Sequence, residues 1–173
     1  SSSMAKKEST KLRVIPLGGI NEVGKNMTAV EYGNDIIVID CGIGFPDEEM
    51  PGIDLVIPDI SYLIENSDKV KAIVLTHGHE DHIGAIPYVC KEFNAPIYAT
   101  KLTVGLIEHK LAEHDLTEKV RRKVVSYGQH INAGCFRVEF IKTNHSISDA
   151  AALAIYSPAG IIVHTGDFKV DYT

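Results

Sequence analysis

Three observations predict an α/β fold for this 173-residue chain. Short runs rich in β-branched residues recur along it, one stretch repeats apolar residues at helical spacing, and several strand-like runs end in loops carrying histidine or aspartate. Strands are expected at Leu12–Leu17, Met27–Tyr32 and Ile36–Asp40, with a turn at Gly33-Asn34-Asp35 joining the last two. The segment from Phe45 to Pro58 carries three prolines and two acidic clusters and reads as a long loop. Asp59–Asn66 reads as a short helix with Asp59 as its N-cap. Val70–Leu75 reads as a short buried strand, and Ile83–Cys90 as the helix entered after it. Pro96–Ala99 is a further strand. Leu102–His114 has Leu102, Leu106, Ile107 and Leu111 in the stripe of an amphipathic helix. Beyond His130 come three strand-like runs, Phe136–Lys142, Ala151–Tyr156 and Gly160–His164.

Bulk properties narrow the function classes. The length suits one domain with a real core, and 45% hydrophobic with 23% charged residues is ordinary for a soluble globular protein. No apolar run approaches the roughly 20 residues of a membrane span, and the polar N-terminus lacks the apolar core of a signal peptide. Ser1–Ser3 ahead of Met4 reads as an expression scar, and residues 1–10 as a flexible N-terminus. Cys41, Cys90 and Cys135 are odd in number and scattered, the pattern of reduced thiols in a cytoplasmic protein. A net charge of −6 argues against a simple nucleic-acid-binding patch. The cluster Lys119, Arg121, Arg122, Lys123 is read as a solvated helix face.

The chemistry concentrates in Thr76-His77-Gly78-His79-Glu80-Asp81-His82, on a tight loop at the carboxyl end of a strand, where α/β proteins tend to build their sites. Zinc prefers imidazole nitrogen and carboxylate oxygen. His77 and His79 can address one ion from an extended segment, while Asp81 and His82, one turn on, can reach a second. The spacing reads as a two-metal hydrolytic site. Two further runs end in donors, one leading to Thr143-Asn144-His145-Ser146 and the other to His164-Thr165-Gly166-Asp167. Asp40, at the end of Ile36–Ile39, could hydrogen-bond a ligand imidazole and fix its tautomer. Two metals about 3.5–4 Å apart can hold one hydroxide near neutral pH and stabilise charge developing on substrate oxygens. Asp81 and Asp167 could accept its proton. His164 is a candidate leaving-group acid by proximity, but packing favours a satisfied strand-end histidine. His109 and His114 are expected to face solvent. Gly19–Lys25 imitates a phosphate-binding loop, but Asn26 stands where Ser or Thr should, and a strand rather than a helix follows.

His77-x-His79-x-Asp81-His82 with His145 and Asp167 resembles the metallo-β-lactamase superfamily. Pro16–Asn26, His79–Tyr88, Asn144–Asp149 and His164–Lys169 look like its β-CASP branch and, within that, the ribonuclease J family. The likeness covers essentially all of the chain from Lys11 onward. It implies a four-layer αββα sandwich with a mixed sheet and flanking helices, of which residues 11–173 would be the N-terminal part. The rest of that sandwich, an inserted β-CASP domain and a C-terminal domain would lie downstream, with the last histidine ligand of the second metal. It implies that His77, His79 and His145 hold the first zinc, Asp81 and His82 the second, and that Asp167 bridges them; manganese is the alternative. Catalytic roles fall on Asp81, Asp167 and His82. It further implies a cytoplasmic bacterial or archaeal enzyme of RNA maturation and decay, combining 5′→3′ exonuclease activity favouring a 5′-monophosphate with endonuclease activity. RNA is the expected partner, with homo-oligomers, an RNA-degradation complex and no membrane. This piece alone is expected to hold at most one ion tightly, to be inactive, and to expose an apolar sheet face. The rival readings are a glyoxalase II-type thioesterase or a lactonase on the same fold, and a non-catalytic scaffold.

Overall fold

The computed structural model describes residues 10–17, 27–42, 59–143, 151–165 and 168–171, with backbone only at 80, 81 and 168–171. Two β-sheets lie face to face, and helices cover the outer face of the first. The first sheet is mixed, in the order β1 (Leu12–Pro16), β2 (Thr28–Tyr32), β3 (Asp35–Ile39), β4 (Val70–Val74), β5 (Ile97–Ala99) and β6 (Arg122–Val124). β1, β2 and β3 run antiparallel, and β3 to β6 run parallel. The second sheet is antiparallel throughout, in the order β11 (Phe168–Asp171), β10 (Gly160–His164), β9 (Ala151–Ser157), β8 (Phe136–Lys142) and β7 (His130–Ala133).

Strands buried on both faces explain why β3 and β4 read as unbroken apolar runs. Along β3, Ile36 and Val38 face the helices while Ile37 and Ile39 face the second sheet; along β4, Ile73 and Ala72 divide the same way. The helix-side core packs these strands against α2 (Glu80–Ile83), α3 (Ile86–Cys90) and α4 (Lys101–Glu113) through Ile83, Ile86, Val89, Ile107 and Leu111. The inter-sheet core sets them against Phe136, Val138, Phe140, Leu153, Ile155 and Ile162. On the far side of the second sheet the register aligns Ile141 with Ala152 and Tyr156 with Ile161. Ile141 and Tyr156 are exposed there, and Arg137 lies across the Tyr156 ring.

Several expectations need correction. The helix after the histidine motif is split into α2 and α3 by a turn at Gly84-Ala85, with Pro87 in the first turn of α3. Asp59 is not the N-cap of α1 (Ser61–Glu65); Ile60 holds that position, and Asp59 accepts the Ser61 amide and hydroxyl from one residue further out. Lys119–Lys123 is no helix face: a turn leads into β6, a charged edge strand of the kind that resists sheet-to-sheet pairing. The buried face of α4 is Thr103, Val104, Ile107 and Leu111, so Leu102 and Leu106 are turned outward, 60% and 45% exposed. His114 is half-buried and lies edge-on to Tyr88, whereas His109 faces solvent beside Glu113.

Candidate metal centre

The site loop begins where β4 stops. Val74 still accepts the Asp40 amide at 2.8 Å, and beyond it Thr76 leads the chain out of the sheet into His77 and His79. Asp40 sits just past the end of β3, is 3% exposed, and has φ +61°. A non-glycine residue in that region costs of order 1–3 kcal/mol, a cost that surrounding contacts must offset. They are present. Asp40 Oδ1 accepts the Thr76 amide at 2.7 Å, and Oδ2 accepts the Thr76 hydroxyl at 2.8 Å. The same Oδ2 lies 2.9 Å from His82 Nδ1. A carboxylate there favours the tautomer with the proton on Nδ1, which leaves the lone pair on Nε2.

Backbone bonds hold the surrounding turns. Cys41 donates its amide to the His82 carbonyl at 2.7 Å, and its own carbonyl accepts the Ala85 amide at 2.7 Å. The Thr76 carbonyl accepts the Ala151 amide at 2.8 Å, which ties the loop to the start of β9 in the other sheet. The imidazoles of His77, His79 and His82 form one group: the His77 centroid is 4.5 Å from that of His79 and 3.9 Å from that of His82. His79 is exposed; the other two are half-buried. On the helix side, Gly78 lies against α4, where an added Cβ would stand 2.4 Å from Leu106 Cδ1. Burial pushes the Cys41 thiol well above its ordinary range, with Cys90 and Asp40 adding to the effect.

The structure thus brings His77, His79, His82 and Asp40 together. His145, Asp167 and the Gly19–Lys25 segment lie outside the described residues, as does the side chain of Asp81. Among the described residues, no three His, Cys, Asp or Glu side chains form a ready-made metal cage. The remaining donors expected from the sequence are those that lie outside them. His164 is buried at the end of β10. Sequence reasoning passed over Thr76, whose amide, hydroxyl and carbonyl are all engaged; its signal is a polar residue ending a buried apolar strand directly before the first histidine. It also passed over the Gly78–Leu106 contact. No helix among the described residues is long and apolar enough to cross a membrane.

The model of the metallo-beta-lactamase superfamily matches residues 20–171. The chain is 45% identical over 173 residues to a ribonuclease J of Synechocystis sp., covering 98% of this chain and 27% of that protein. It is 46% identical over 160 residues to ribonuclease J 1 of Streptococcus pyogenes, covering 92% and 29%. It is 44% identical over 169 residues to ribonuclease J 2 of Staphylococcus aureus, covering 98% and 30%. The chain therefore spans less than a third of the length of these curated relatives. Among solved structures, the metallo-beta-lactamase fold protein YhfI of Bacillus subtilis matches with TM-score 0.62 at 20% identity, over 88% of this chain and 61% of that one. Zn(2+)-bound PqqB of Methylobacterium extorquens matches with TM-score 0.57 at 12% identity, over 79% and 50%. At such identities the likeness establishes the fold alone.

Proposed function

Since this chain belongs to the metallo-β-lactamase superfamily, we propose that the intact protein, of which it forms the N-terminal part, is a metal-dependent ribonuclease. The reading is carried by 44–46% identity, across nearly the whole chain, to proteins named ribonuclease J. It is an enzyme of RNA maturation and decay that cleaves phosphodiesters both 5′→3′ from an end and internally. It works in the cytoplasm as a homo-oligomer, within reach of an RNA-degradation complex. The remainder of the sandwich, the β-CASP domain and the C-terminal domain follow this piece.

The donor chemistry fits divalent zinc, or manganese, which share imidazole and carboxylate ligands. His77, His79 and His145 would hold one ion, Asp81 and His82 a second, and Asp167 both. Such ions supply a nucleophile at neutral pH and neutralise charge developing on the phosphate. Asp40 fixes the ring of His82 and the path of Thr76, so the ligand loop is ordered before substrate arrives. Asp81 or Asp167 would take the proton given up by the attacking water.

The test uses the intact protein with a 3′-labelled RNA carrying a 5′-monophosphate or a 5′-triphosphate, and Asp81→Ala as control. Mononucleotides should appear from the monophosphate RNA and vanish in the control. No cleavage of either RNA with zinc or manganese would transfer the assignment to a thioesterase or lactonase of the same fold.

A further inference from the structure

Thr76 meets Asp40 with two donors from one residue. Its amide donates to Oδ1 at 2.7 Å and its hydroxyl to Oδ2 at 2.8 Å. The same Oδ2 takes the His82 Nδ1 contact at 2.9 Å. Thr76 and Asp40 are each 3% exposed, so these bonds run in a low-dielectric interior. An aspartate carboxylate turns about a torsion with no sharp minimum. Held by His82 alone, it could present either oxygen over a wide range of angles. A donor on each oxygen removes that freedom. The hydroxyl is itself constrained, because a β-branched side chain is stiff about its first torsion. It must donate, because an ionised carboxylate only accepts. A third bond leaves Thr76 in another direction, where its carbonyl accepts the Ala151 amide at 2.8 Å. Ala151 opens β9 soon after His145 in the sequence, and His77 follows Thr76 directly.

We propose that Thr76 is a positioning residue of the metal centre, its hydroxyl setting the plane of the Asp40 carboxylate and thereby the ring of His82. The dependence runs from Thr76 through Asp40 to the imidazole, so Asp40 holds His82 only in the orientation that Thr76 imposes. The inference rests on the metal-dependent reading of the site and adds which group aims the ligand. It also accounts for a buried hydroxyl at the end of an apolar strand, where valine would fill nearly the same space with no polar group to satisfy.

The experiment titrates zinc into the intact protein against a chromophoric chelator, for Thr76→Val, Thr76→Ser, Asp40→Ala and Thr76→Val combined with Asp40→Ala. Thr76→Val should weaken one of the two ions about tenfold and leave the other within about twofold. Thr76→Ser keeps the hydroxyl and should restore most of that loss. In the Asp40→Ala background Thr76→Val should cost nothing further, because the route to His82 is already cut. With zinc saturating, kcat of Thr76→Val on the 5′-monophosphate RNA should fall about tenfold while KM stays within about twofold. Thr76→Ala makes the same deletion should the valine protein not fold. Unchanged affinity in Thr76→Val overturns the proposal. An equal loss in Thr76→Ser does so as well, since it reduces Thr76 to packing. A loss that adds to that of Asp40→Ala also overturns it, because the hydroxyl then acts by another route. The expected zinc shifts in a protein that cleaves no RNA leave the positioning role standing and remove the ribonuclease reading alone. An unsubstituted protein that holds neither zinc nor manganese removes both.

Discussion

The two ends of β3 each carry an aspartate, and the two carboxylates do opposite work. At the leading end, half-buried Asp35 accepts the Cys135 amide at 2.9 Å and lies 3.9 Å from Lys71, joining the first sheet to the β7–β8 hairpin of the second. At the trailing end, Asp40 turns back on the ligand loop and engages Thr76 and His82. One end spans sheets with an ordinary backbone; the other gathers loops around a left-handed residue. Architecture and chemistry are thus anchored at opposite ends of one five-residue strand, and substitutions should separate them.

The largest effect should come from Gly134→Ala. Gly134 opens the two-residue hairpin loop at φ +58°, and an added Cβ would stand 2.5–2.8 Å from the Asp35 carboxylate. The left-handed conformation costs a side chain about 1–2 kcal/mol. Displacing Asp35 from the Cys135 amide costs about 1–2 kcal/mol more. Urea unfolding should therefore show a loss of about 2–4 kcal/mol, and adding Asp35→Ala should cost little further. Additive losses would break the idea that these residues form one joint.

Next comes Asp40→Ala, with a loss of about 2–3 kcal/mol for the buried donors left behind and metal affinity down about 10- to 100-fold. Competition against a chromophoric chelator reads the affinity. Asp35→Ala should leave that affinity unchanged, and a matching fall would erase the distinction between the two ends.

The smallest effect is an alkaline one. Burial raises Cys90 from 9.0 to about 12, partly opposed by Lys119, and burial together with Asp35 raises Cys135 to about 11. Folding therefore favours the protonated thiols. Their contribution is complete below the unfolded value near 9.0 and fades as pH rises from there toward 11–12. Cys90→Ala should flatten this limb of the stability–pH curve. In alkylation at about pH 8, half-buried Cys135 should react ahead of buried Cys90, and the reverse order would contradict the burial seen at the two sites.

Sequence periodicity located what burial dictates. β3, β4, β8, β9 and β10 are apolar because cores lie against them, and each appears within one residue of its expected bounds. The Gly33-Asn34 turn was legible because Gly33 supplies φ +61° at a position no branched residue adopts cheaply. What was not legible is held by neighbours. β6 and β7 are short and polar and exist because β5 and β8 offer partners. In α4, leucines at 102 and 106 outweigh Thr103 on any apolar scale, yet Thr103 is buried and they are not, because Val104, Ile107 and Leu111 set that neighbouring face against the sheet. At the site, the histidine motif and Asp40 stood out by residue type. Thr76 did not, since its importance lies in three backbone and hydroxyl bonds rather than in its own chemistry.

The bond from Ala151 to the Thr76 carbonyl sets an order of assembly. During synthesis the histidine loop emerges long before β9, so its last backbone anchor arrives late. The strand that fastens it follows the β7–β8 hairpin in the chain. The histidine loop is therefore fastened from both sheets only once the second sheet has reached it.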